Sequence, residues 1–70
     1  MIYWREVGGP HQEEGHSDDG YTLAVWRLKN GWAWSCRSDA LGWYERTGLE
    51  WSEIDARAAA EAAYADRFLQ

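Results

Sequence analysis

Seventy residues make one domain, too short for a large core, and the single cysteine, Cys36, excludes an intramolecular disulfide. The net charge of −5 opposes general binding to nucleic acid, and no charged-then-apolar leader or long apolar run points to secretion or a membrane span. A cytoplasmic protein is therefore expected, stabilised largely by its six tryptophans, four of them between Trp26 and Trp43.

Residues Ile2 to Val7 are β-branched and aromatic enough for a short strand, ended by Gly8-Gly9-Pro10. Residues 8–20 hold no apolar side chain except Pro10, and they read as an acidic, flexible loop. The same stretch can also serve as a connection that brings the first strand beside another. Residues 21–47 read as antiparallel strands. Tyr21 to Lys29 and Trp32 to Ser38 flank Asn30-Gly31, the pair that favours a type I′ turn. A two-residue turn there sets Lys29 against Trp32, Arg27 against Trp34 and Val25 against Cys36 on one face. Arg27 beside Trp34 then suggests a cation–π pair. Ser38-Asp39 reads as a second turn, and Leu41 to Thr47 as a third meander strand closed by Gly48.

A helix is expected over 52–69. Ser52 is its N-cap, Asp55 stands at the capping-box position, and Trp51 is placed to staple the first turn. Residues 56–65 include seven alanines, the best helix former. Ile54, Ala58, Ala62, Ala65 and Leu69 fall on one stripe, expected to face the sheet, with Glu53, Arg57 and Glu61 as an i,i+4 ladder on the flank. The fold class is thus α+β: a three- to four-stranded antiparallel meander with one C-terminal helix on one face.

No motif names a reaction. His11 and His16 among Glu13, Glu14, Asp18 and Asp19 are metal-ligand types, but their spacing matches no compact site. Cys36 sits mid-strand opposite an apolar residue, where a small buried hydrophobe is ordinary. There is no glycine-rich phosphate loop and no Ser-His-Asp spacing. Neither enzyme activity nor a metal or cofactor is expected.

Charge is spread unevenly. Residues 1–20 set Glu6, Glu13, Glu14, Asp18 and Asp19 against Arg5. Residues 21–38 carry Arg27, Lys29 and Arg37 and no acid, and residues 39–70 return to −4. Basic residues interleaved with Trp32 and Trp34 are what binders of single-stranded nucleic acid use. With the turn–strand–Gly–Ser-cap–helix pattern of residues 21–69, the hairpin resembles small DNA-binding modules of the integrase arm-binding type, whose sheet enters the major groove. That resemblance implies a nucleic-acid-binding regulator, although only three basic residues stand on the hairpin.

The acids point to the opposite partner. Glu13, Glu14, Asp18 and Asp19 form one group, and Glu45, Glu50, Glu53 and Asp55 a second, the last two also explained by the helix dipole. Trp43 and Tyr44, beside Glu45, are the aromatic anchors to expect. A short, acidic, single-module chain without catalytic motifs resembles small phage and mobile-element proteins, anti-CRISPR inhibitors among them. The resemblance implies a non-enzymatic inhibitor that blocks a basic nucleic-acid-binding site on a larger complex with a DNA-like acidic surface. Its expected contacts are Glu13, Glu14, Asp18, Asp19, Trp43, Tyr44, Glu45 and Glu50. A homodimer through the Trp-rich sheet is compatible with either reading.

Overall fold

The computed structural model describes residues 1–9, 11–40 and 45–67. Five strands form one antiparallel meander: β1 (Ile2–Glu6), β2 (Gln12–Ser17), β3 (Tyr21–Leu28), β4 (Gly31–Ser38) and β5 (Glu45–Glu50). Helix α1 (Glu53–Ala65) covers one face, packing chiefly on β3, β4 and β5. The α+β class and the C-terminal helix agree with the sequence reading, but the sheet has five strands where three or four were expected.

The added strand is β2, inside the segment read as a loop. Its sequence, Gln-Glu-Glu-Gly-His-Ser, carries no strand-forming propensity. Its partners supply the order. Gly15 lies opposite Trp4 on one side and Leu23 on the other. A Cβ at Gly15 would come within 2.6 Å of Ile2 Cγ2 and 2.9 Å of Trp4 Cδ2. The missing side chain thus lets β1 lay its large residues across β2, and the ladder on both sides satisfies the backbone.

The β3–β4 hairpin forms, shifted by two residues. Leu28 pairs with Gly31, Arg27 with Trp32, Val25 with Trp34 and Leu23 with Cys36. The turn is Lys29-Asn30, and no described non-glycine residue has positive φ, so Asn30 does not adopt the type I′ conformation. Gly31 instead opens β4, where a Cβ would lie 2.7 Å from the Glu50 carbonyl oxygen. A two-residue shift preserves the faces, so Val25 and Cys36 still share one side. The third expected strand differs too. Residues 41–44 lie outside the described residues, and β5 runs through Gly48 to Glu50.

The core lies between sheet and helix. Leu23, Val25 and Cys36 are fully buried, joined by Tyr21, Ala56, Ala60 and Ala63, with Trp4, Trp34 and Tyr64 partly buried against them. Gly48 makes room for Trp34, whose ring atoms would lie 2.6–2.7 Å from a Cβ there.

Ser52 caps α1, accepting a hydrogen bond from Asp55 N at 3.2 Å, and Asp66 ends the helix. Leu69, expected on the stripe, lies outside the described residues. The helix is rolled away from the expected stripe. Ala56, Ala60 and Ala63 are buried, whereas Ile54 is 79% exposed and Ala58, Ala62 and Ala65 face solvent. Alanine on every side leaves apolar periodicity almost mute. The roll is set by the polar flank, where Arg57, Glu61 and Tyr64 each bond to the β1–β2 side. Trp51 is 87% exposed and does not staple the helix.

Candidate partner-binding surface

Alternation along the strands decides where the expected residues stand. Glu13 turns toward the helix, where Arg57 Nε donates to its Oε1 at 2.9 Å and Nη2 donates to the same oxygen. Glu14 turns to the open face and lies 3.1 Å from His16 Nε2. Asp18 is exposed at the β2–β3 turn. Asp19 accepts from Tyr64 Oη and from Arg67 Nη2, both at 2.8 Å. Hydrogen bonds from the Ser17 and Tyr64 hydroxyls, and then the Arg67 guanidinium, hold its carboxyl well below the usual range. Glu45 is exposed opposite Arg37, and Glu50 lies opposite Trp32. Trp43 and Tyr44 lie outside the described residues. The expected acidic loop is therefore not one surface: neighbouring carboxylates Glu13 and Glu14 serve opposite faces.

A different acidic array takes its place, along the seam between the β1–β2 hairpin and α1. Glu6 pairs directly with Glu13 across the strands. Glu53 lies close enough to both to feel their charge. Its pKa is raised, by desolvation first and then by the Glu13 carboxyl, with Arg57 opposing and Glu6 adding to the rise. Further along, Glu61 Oε2 accepts from Trp4 Nε1 at 2.7 Å, and Arg57 lies over the Trp4 ring at 5.2 Å. The far end holds Asp19 paired with Arg67, which stacks on Tyr64 at 3.7 Å. Five carboxylates, Glu6, Glu13, Glu53, Glu61 and Asp19, thus accompany two guanidiniums, a local charge of −3. Glu53 to Glu61 alone spans about 12 Å of helix.

Glu6 and Glu61 are the members that sequence reasoning missed, and Glu53, placed in the second acidic group, was set down to the helix dipole. The i,i+4 ladder on the helix flank was visible, but not that β1 and β2 would bring further acids to it.

The open face is balanced by contrast. Its rows run Tyr3–His16–Thr22–Arg37–Glu45, Arg5–Glu14–Ala24–Ser35–Thr47 and Gln12–Trp26–Ala33–Leu49. A shallow concavity of about 340 Å³ there is lined by Glu14, Trp26 and Arg37 around Ala24 and Ser35. Thr22 Oγ1 donates to Asp39 Oδ1 at 2.6 Å.

The basic residues of the hairpin do not share a surface: Arg27 is on the helix side, Lys29 in the turn and Arg37 on the open face. Burial pushes the Cys36 thiol up to about 11, against the pull of Arg67, so at neutral pH it is no thiolate nucleophile. Among the described residues no cluster of three or more His, Cys, Asp or Glu is arranged to hold a metal ion. Nor is any helix among them long and apolar enough to cross a membrane. Comparison with protein-family models, curated proteins and solved structures gave no match to this chain.

Proposed function

We propose that this protein is a non-enzymatic binding module whose acidic seam occupies a basic, nucleic-acid-binding surface of a larger partner. The supporting observation is that five carboxylates and only two guanidiniums meet on one flank, where the grouping of Glu6, Glu13 and Glu53 works against folding. Like charges directly opposite in a sheet are destabilising, and Glu6 faces Glu13 with Glu53 close by and one guanidinium among them. Breaches of local folding rules collect at functional sites. An anionic flank steers association with a cationic surface and makes it sensitive to salt. The nucleic-acid-binding alternative draws less support, because Arg27, Lys29 and Arg37 are dispersed.

The test is a pull-down from host-cell lysate at low and then moderate salt, with duplex DNA as competitor, run beside the Glu6→Gln/Glu53→Gln/Glu61→Gln variant. The expected partner is a nucleic-acid-processing complex, released by salt and by DNA, and lost to the triple variant while its melting temperature holds or rises. Equal capture by the triple variant refutes the seam as the contact. Recovery of nucleic acid alone refutes the reading.

A further inference from the structure

We infer that a second copy of this chain pairs with the outer edge of β5, extending the sheet to ten strands about a two-fold axis at Gly48. Among the described residues β5 is hydrogen-bonded to β4 alone, and β1 forms the other edge. Charge separates the two edges. Self-pairing at β1 would bring two acidic seams together, with Glu6, Glu13, Glu53 and Glu61 of each copy at close range. The β5 edge lies across the sheet from the seam and carries both signs, Glu45, Arg46 and Glu50.

The register follows from the same charges. A two-fold axis normal to the sheet keeps each side chain on its own face, so allowed antiparallel registers centre on a single residue. Centring on Arg46 sets the two Arg46 guanidiniums opposite each other. Centring on Thr47 sets Glu45 against Leu49, and centring on Leu49 leaves Glu50 opposite Gly48. Centring on Gly48 matches Arg46 with Glu50 of the other copy, twice over, on the helix side. On the open face it sets Leu49, 68% exposed, against Thr47, and Trp51, 87% exposed, alongside Glu45. Opposite charges across a strand pair are favourable, and Gly48 presents no side chain at the axis.

Two six-residue edges bury less than the roughly 1,200 Å² of a standard stable interface, so the association is a weak, concentration-dependent equilibrium. It leaves both seams exposed at the far edges and does not depend on what they bind.

Sedimentation equilibrium of the full chain tests this. The mass should rise from 8.1 kDa toward twice that value between about 1 μM and about 1 mM. Arg46→Glu and Glu50→Arg alone should each weaken self-association by about tenfold or more, and the double swap should restore it. Amide exchange on the unmodified chain supplies a readout free of folding artefacts: protection of Thr47 to Leu49 should increase with concentration. A monomeric mass throughout, protection independent of concentration, or a double swap no better than the singles overturns the proposal.

Discussion

Arg57→Met is the sharpest probe of the seam. Methionine keeps an apolar stem beside the Trp4 ring and removes the guanidinium, with its charge and its hydrogen bonds to Glu13. Glu13 is the partner left behind, its side chain 13% exposed, while Arg57 is 37% exposed. Stranding a charge from a fully buried pair costs about 3–5 kcal/mol, and an exposed pair is worth about 0–1 kcal/mol. This pair lies between those limits, and the lost cation–π contact adds about 0.5–1 kcal/mol. The expected loss is about 2–3 kcal/mol at pH 7. At about 4–8 °C per kcal/mol for a domain this small, the melting temperature should fall by about 8–24 °C. A 70-residue core holds only about 3–5 kcal/mol in total, so urea titration at low temperature is the assay to use. The pH dependence gives a second check. Glu53 already has a raised pKa in the folded state, and losing Arg57 removes the influence that lowers it. A raised folded pKa means stability that is present below the unfolded pKa and lost as pH rises through the folded one. The gap between variant and parent should therefore narrow as pH falls below the carboxylate range, and Glu13→Gln added to Arg57→Met should recover part of the loss at pH 7. A loss under about 0.5 kcal/mol, within the range of an ordinary surface substitution, would refute the reasoning, as would a gap that does not change with pH.

Two further outcomes bear on the core. Gly48 is not among the positive-φ glycines, so alanine there meets no backbone strain and would ordinarily stabilise a strand. Its Cβ would instead meet the Trp34 ring, so Gly48→Ala should destabilise by about 1–3 kcal/mol in urea titration, and Trp34→Leu in the same chain should relieve the clash. Cys36 should resist iodoacetamide at neutral pH and react only as fast as the protein unfolds, because its thiol is fully buried and its pKa is pushed up to about 11. Prompt alkylation of folded protein would contradict both the burial and the thiol state.

The elements written in local chemistry were legible in the sequence. Ser52 and the alanines that follow mark the helix, and alternation across β3 and β4 puts Val25 and Cys36 on one face whether or not the turn is placed correctly. What escaped depends on partners distant in the chain. β2 has no propensity of its own and forms because Gly15 accepts Trp4 and Ile2 across it. The hairpin register was misread because Gly31 is needed for the close approach of Glu50 in β5, not for the turn itself. The candidate site suffered most. Proximity in sequence suggested that Glu13 and Glu14 act together, and strand geometry sends them to opposite faces. The residues that do converge come from β1, β2 and α1, a grouping visible only once the meander and the helix roll are known.

That roll ties stability to binding in a specific way. With alanine on all sides, α1 has little apolar preference, and its orientation rests on Arg57 with Glu13, Glu61 with Trp4, and Tyr64 and Arg67 with Asp19. The groups that aim the helix are thus the groups that gather the charge. Removing Glu6, which faces Glu13, relieves crowding and weakens the anionic field. Removing Arg57 strands carboxylates and strengthens that field. If the seam meets a cationic partner, the two classes of substitution must act with opposite signs on stability and on association. Glu6→Gln should then raise the melting temperature and slow association, while Arg57→Met should lower the one and speed the other at low salt. A surface whose acids served only solubility would show the stability changes without any counterpart in binding, so measuring both quantities on the same two variants separates the explanations.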